Sequence, residues 1–353
     1  MPRVLVVGDV INDILVQAPW PLALGDDNPA VITIQPGGSA ANQAAWMARL
    51  GLDVVFAGRV GARDAEFHRR ALARFGVEPR LAADESAATG AIVVLVGPDG
   101  ERTMITDRGA NLRLRPADVP AALLEGAALL HLTGYSFFEP QPRGVALGLL
   151  GEARRRGVPV TVDPGSAAFL AALEPGAFLG WTRGAAVCFP NLDEAAVLTG
   201  TAGAVSAALT GTAGAMLTGA PGTVSAALPG TADAAPGERR AGAGNSRSAA
   251  GDPAAMAAAL AGYYGAVVVK LGAGGAVYAA EGTAPARVAA EPVSVRDTTG
   301  AGDAFCAGFL AAWLAGAPLA DACTAAAQAA ALAVSVLGGR PPGTPSDSQA
   351  DLA

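Results

Sequence analysis

Asp297 and Asp303 bracket the stretch Asp297-Thr298-Thr299-Gly300-Ala301-Gly302-Asp303, in which no bulky side chain stands between the two carboxylates. Just downstream, Phe305, Phe309 and Trp313 recur at every fourth position. That spacing predicts a helix beginning near Ala301 that buries its aromatic face and stops at Gly316. Gly300, Ala301 and Gly302 would then offer backbone N–H groups at a helix N-terminus. Such donors have no intrahelical acceptor and sit at the positive end of the macrodipole, and small residues let an anion come close. A carboxylate beside an anion site repels the anion unless a hydroxyl stands between them. Asp303 would then take the proton of that hydroxyl while the N–H groups steady a phosphoryl group in transfer. The alternative is an aspartate that only stabilises the first turn of its helix.

The rest of the chain must position that loop. Short apolar runs at Val4–Val7, Val54–Ala57, Ala128–Leu132, Val158–Val162, Ala186–Phe189 and Ala266–Lys270 read as buried parallel strands. Helical patterns lie between them at Ala40–Leu50, Ala65–Phe75, Gly144–Arg156, Leu192–Leu198 and Pro253–Tyr264. The alternation predicts an α/β fold, a doubly wound, mainly parallel sheet flanked by helices. Ala91–Thr106 reads instead as a hairpin turning at Pro98-Asp99-Gly100, and the stretches from Asp13 and from Ala30 read as two further strands. Together these segments, about 13–36 and 90–108, predict a small β-sheet lid that excludes water from a site.

The chain of 353 residues, 52% hydrophobic, can bury the core of one large domain, expected over 1–340. Two segments fall outside it. In 201–252, "TGTAGA" and "VSAAL" each occur twice, which marks a low-complexity insertion expected to be flexible, and 341–353 is expected to be a disordered tail. A net charge of -7 argues against a nucleic-acid surface. Cys188, Cys306 and Cys323 are too few and too scattered for a disulfide framework or a zinc site. The N-terminus lacks a basic run and cleavage site, and the apolar segment Ala322–Leu337 is too short to span a bilayer, so no membrane and a cytoplasmic location are expected.

Four motifs in order carry a family resemblance: "PGGSAANQAAWMARLG" (Pro36–Gly51), "PNLDEAAVLTG" (Pro190–Gly200), "VVVKLGAGGAV" (Val267–Val277) and "DTTGAGD" (Asp297–Asp303). Together they resemble the ribokinase-like, PfkB-type carbohydrate kinases from Arg3 to about Arg340, except across the insertion. The resemblance implies ATP as phosphoryl donor, with Mg²⁺ and a monovalent cation, K⁺. It implies that Asp13, Gly37, Gly38 and Asn42 bind the acceptor, and that Asn191, Lys270, Gly272 and Gly275 face the nucleotide. Glu194 would hold Mg²⁺ through water, and Asp297 and Thr299 would line the K⁺ site. Asn191 and Glu194 also fit a bland capping box, and both roles are compatible. A homodimer through the lid is also implied.

Two departures bear on the acceptor. Ser39 stands where several relatives carry lysine, and Gly165 where many carry asparagine. Arg108 either meets a substrate or is a surface arginine, and Asp9 reads as turn chemistry. The expected function is ATP-dependent phosphorylation of a small free sugar. A nucleoside kinase is the alternative, since Trp20 and Tyr135–Phe138 could stack on a base, and a catalytically silent sugar-binding protein is the third. His68 and His131 fall in no triad or metal pattern.

Overall fold

The computed structural model describes residues 1–97, 102–174, 176–201 and 251–342. The Pro98-Asp99-Gly100 turn, nearly all of the 201–252 segment and the tail beyond Pro342 lie outside the described residues.

The strands are β1 (Arg3–Val7), β2 (Ile11–Gln17), β3 (Val31–Gly37), β4 (Asp53–Gly61), β5 (Glu78–Asp84), β6 (Thr89–Val96), β7 (Arg102–Gly109), β8 (Leu129–Thr133), β9 (Val160–Asp163), β10 (Val187–Cys188), β11 (Ala266–Lys270), β12 (Ala276–Ala280) and β13 (Ala286–Val288). The helices are α1 (Ser39–Arg49), α2 (Ala65–Ala73), α3 (Tyr135–Phe138), α4 (Pro140–Arg156), α5 (Ala167–Ala171), α6 (Ala177–Thr182), α7 (Leu192–Leu198), α8 (Pro253–Ala261), α9 (Ala301–Leu314) and α10 (Leu319–Val334).

Among the described residues the main sheet has nine strands, ordered β5-β4-β1-β8-β9-β10-β11-β12-β13. Every pairing from β5 to β11 is parallel, and β12 and β13 add on antiparallel. Side chains alternate across the sheet, so each strand feeds two cores. Leu5 and Val7 of β1 join the cluster under α4, α7 and α8. Val4 and Val6 join the opposite cluster under α1, α9 and α10. Phe305 and Phe309 are buried in that second cluster and Trp313 packs against it, as the spacing predicts. No helix of the described residues is long and apolar enough to cross a membrane.

The lid is a separate sheet ordered β3-β2-β6-β7. Its two outer pairings are antiparallel and the central β2–β6 pairing is parallel. Two elements stand out against the sequence reading. β5, an edge strand carrying Glu78, Pro79 and Arg80, has no apolar run to announce it. The segment read only for membrane span folds as α10, a 16-residue helix rich in alanine packed on α9. The parallel strands β1, β9 and β11 all point their carboxyl ends at one crevice, where open α/β sheets bind their ligands.

Candidate active site

Helix α9 starts at Ala301, with Gly300 as its N-cap at φ 73°. Only glycine is at ease there, because a Cβ on Gly300 would lie 2.4 Å from the Gly339 carbonyl oxygen. Of the three donors read from the sequence, the Ala301 N–H already reaches the Thr298 carbonyl at a long 3.4 Å. Asp297 braces the loop from behind. Its Oδ1 accepts from the Thr299 N–H at 2.7 Å and its Oδ2 from the Gly338 N–H at 2.9 Å.

Asp303, in the first turn of α9, receives donors from α1 across the crevice. The Ser39 hydroxyl donates to Oδ1 at 2.7 Å, Gln43 Nε2 donates to the same oxygen at 3.1 Å, and Asn42 Nδ2 donates to Oδ2 at 3.2 Å. Burial nevertheless pushes the Asp303 carboxyl up to about 6. Helix α1 can supply these side chains because its N-cap, Gly38, turns at φ 97° against the Asp9 carbonyl, leaving no room for a Cβ. The position read as a missing lysine, Ser39, thus holds the Asp303 carboxylate.

Gln43 is fully buried and joins that carboxylate to a second one. Its Nε2 also donates to Asp163 Oδ2 at 2.9 Å. Carboxylates only accept, so the Gln43 amide must turn its oxygen to His131, which donates from Nε2. His131 Nδ1 then accepts from the Thr161 hydroxyl at 2.7 Å. Burial holds His131 down at about 4, hence neutral, which this tautomer requires. Sequence reading missed Gln43, Asp163, Thr161 and His131, because they come from three separate elements and share no local motif.

Lys270, at the end of β11, salt-bridges Asp163 Oδ1 at 3.0 Å. Burial alone would lower its pKa, but the surrounding groups, Asp163 first and then Cys306 and Glu194, together more than offset that and keep it above the usual range. Its Nζ lies 3.6 Å from where a Gly302 Cβ would be, so the ammonium faces the helix N-terminus. Lys270 and Gly302 are also walls of a cavity of about 650 Å³. Gly272 and Gly275 line it, and its remaining walls are mostly small and apolar, including Pro292, Ala327 and Val334. The α10 contribution, Ala327, Ala330, Ala331 and Val334, went unread.

Asn191 caps α7 by accepting from the Glu194 N–H at 2.8 Å, and Glu194 Oε2 accepts from the Asn191 N–H at 2.8 Å. Neither residue lines the cavity. Glu194 is buried, which lifts its carboxyl to about 7 against the pull of Lys270. A buried carboxylate raised in this way suits a nearby cation, and with both oxygens engaged by Asn191 it suits one held through water.

Asp13 lies on β2 against Gly37, whose Cβ position would fall 2.0 Å from its Oδ2, so only glycine fits. Burial raises the Asp13 carboxyl to about 6, with Arg340 opposing the rise. Arg108 is not a surface arginine: it is buried and binds both oxygens of Asp9 at 2.9 Å, so Asp9 is its counterion. Asp13, Asn42 and Arg340 stand together beside Asp303, and none of the three lines the cavity that Gly302 borders. His68 is buried in contact with Asn12, outside any nucleophile pairing. The three cysteines are free and buried.

A family model described as pfkB family carbohydrate kinase matches residues 1–221 and 235–347. A curated fructokinase of Klebsiella pneumoniae is 30% identical over 166 residues, which is 46% of this chain and 50% of the relative. The chain thus matches about half the length of that relative. The solved adenosine kinase of Sinorhizobium meliloti superposes with a TM-score of 0.75 at 22% identity, covering 99% of this chain and 98% of that one. The solved Arabidopsis thaliana ribokinase, complexed with ribose and ATP, gives a TM-score of 0.66 at 25% identity over 96% and 95% of the two chains.

Proposed function

The chain belongs to the pfkB family of carbohydrate kinases, and on that footing we propose that it transfers the γ-phosphoryl group of ATP to a hydroxyl of a small sugar. The observation that carries the reading is the position of Asp303 between two unlike walls. Its neighbour Gly302 borders the roomy, mostly apolar cavity, whereas Asp303 itself meets the polar group of Asp13, Asn42 and Arg340, which lines none of that cavity. The adenine and ribose would lie along Gly272 and Gly275, with the phosphates reaching Lys270 and the N-terminus of α9. The acceptor hydroxyl, hydrogen-bonded to Asp303, would lose its proton to that carboxylate as the phosphoryl group transfers. The N–H groups of Gly300, Ala301 and Gly302 and the Lys270 ammonium would offset charge on the transferring group. Most of the work is positioning, which the Gln43–His131–Thr161 relay serves by fixing the Asp303 rotamer.

Mg²⁺, when bound, neutralises the charge of the nucleotide phosphates; Glu194 would hold it through water. Asp297 and Thr299 would support K⁺ behind the loop they brace. A nucleoside acceptor is the second reading, favoured by the resemblance to an adenosine kinase fold and by the aromatic pair Tyr135 and Phe138 near the crevice. A second copy of the chain would cover the lid, whose Val31, Ile32, Ile34, Met104 and Ile105 are all exposed.

The test is ADP release from ATP and Mg²⁺ in the presence of single sugars or nucleosides. Acceptor-dependent release is expected for a sugar. Release only with nucleosides would select the second reading, and nucleotide binding with no acceptor-dependent turnover would overturn both.

A further inference from the structure

Arg340 follows Gly338-Gly339, the pair that closes over the anion loop. Its side chain is only 9% exposed. Nε donates to Asn42 Oδ1 at 3.4 Å, and Asn42 in turn donates Nδ2 to Asp303 Oδ2 at 3.2 Å. The guanidinium therefore stands one amide away from the carboxylate assigned above as base. Both Nη atoms are buried and meet no hydrogen-bond acceptor among the described residues. Asp13 is near enough that each group shifts the titration of the other, yet its oxygens do not reach the Nη atoms.

This arrangement is out of balance for a site that takes a neutral polyol. A buried guanidinium is costly unless its N–H groups find strong acceptors, and sugar hydroxyls offset that cost only in part. With Nε tethered to Asn42, the end of the fork remains, two parallel Nη groups spaced for the two oxygens of one oxyanion. The electrostatics agree. Asp13 and Asp303 would repel an anionic acceptor, and Lys270 pairs with Asp163 and faces Gly302 on the side assigned to the nucleotide, so Arg340 is the positive charge that such an acceptor would meet.

We propose that Arg340 is a specificity residue which receives an oxyanion of the acceptor, so that the substrate is a sugar carrying a carboxylate or a phosphate rather than a neutral sugar. The inference rests on the kinase reading above for its reaction. It does not rest on that reading for binding.

The experiment compares acids with their neutral counterparts on the full chain: D-gluconate with D-glucose, and D-ribonate and D-ribose 5-phosphate with D-ribose. Calorimetry without nucleotide reads binding, and ADP release reads turnover. The wild type should favour at least one acid over its counterpart by about tenfold or more, as a charged hydrogen-bonded pair allows. Gluconate and ribonate against ribose 5-phosphate decide whether the oxyanion is a carboxylate or a phosphate. Arg340→Gln should collapse that preference to within about twofold, and Arg340→Lys, which keeps the charge but loses the fork, should restore part of it. If Arg340→Gln does not fold by circular dichroism, the Lys variant alone carries the comparison, with an intermediate preference expected. Failure of every acid to bind, a preference for neutral sugars, or a preference unchanged in the variants overturns the role of Arg340. Acids that bind in an Arg340-dependent way but are never phosphorylated would sustain that role and sink the kinase reading instead.

Discussion

The two sides of Asp303 are built on opposite plans. The cavity side is made of backbone and small residues, with Gly272, Gly275, Gly302 and the alanines of α10 giving way to a ligand rather than gripping it. The side assigned to the acceptor is made of polar side chains, Asp13, Ser39, Asn42 and Arg340, of which Ser39 and Asn42 donate to Asp303 while the Arg340 Nη atoms are left without acceptors. The difference teaches how each side fails. Adding atoms should break the first, and removing them should break the second.

The sharpest removal is Asp303→Asn, expected to lower turnover by about 10² or more while the protein still folds and binds nucleotide. Turnover within a few-fold of wild type would mean that Asp303 serves its helix and not the chemistry. The wild-type pH profile sharpens the same point. Because the Asp303 carboxyl is raised to about 6, kcat/KM should fall as pH drops through about 6, where the base becomes protonated. The linkage to stability runs the other way. A carboxyl raised on folding binds its proton more tightly in the native state, so its contribution to stability is full below the unfolded value and is lost as pH rises through about 6. A flat rate from pH 5 to 8 would count against the assignment.

The matching addition is Gly302→Val. The first added carbon has room, since it would meet only Lys270 Nζ at 3.6 Å, but the branches beyond it would enter the space assigned to the phosphoryl group. Turnover should fall by about tenfold or more, since displacements near 1 Å at a reacting centre are that costly. The melting temperature should move by only about a few degrees. A variant that melts far earlier yet turns over normally per folded molecule would make Gly302 a packing residue and erase the contrast between the two sides.

The same contrast explains what was legible in the sequence. Contiguous motifs announce the cavity side: "DTTGAGD" is one loop, and Lys270, Gly272 and Gly275 sit within six positions. Glycines there are required by geometry, as the Gly300 and Gly275 turns demonstrate, so the letters themselves carry the constraint. The acceptor side is assembled from residues up to 298 positions apart, as in the Arg340–Asn42 contact. Nothing local marks Asp163 or Arg340, and Gln43 inside α1 reads as one more helical residue until His131 and two carboxylates surround it. The alternation of strands and helices was plain for β1, β8 and β11, whose side chains are buried on both faces. It was silent for β5, a half-exposed edge.

The smallest effect is expected from the largest change, removal of 202–250. The described flanks of this segment abut: a Cβ on Gly251 would lie 3.9 Å from Thr201 Cβ. Each flank is also fixed by its own contacts. The Thr201 N–H donates to the Ala196 carbonyl at 3.0 Å, and Asp252 caps α8 by accepting from the Ala254 N–H at 3.0 Å. A short Gly/Ser linker can therefore join them without moving α7 or α8. The family match passes over 222–234. Loop closure changes by only about 0.6 kcal/mol per doubling of length, and a shorter loop changes it in the favourable direction. The shortened protein should melt within about 2 °C of the full chain, a shift worth about 1 kcal/mol, and its kinase rate should stay within about twofold. If the shortened protein instead loses nucleotide affinity while keeping acceptor binding, the segment is part of the cavity side, and that side is not built from backbone and small residues alone.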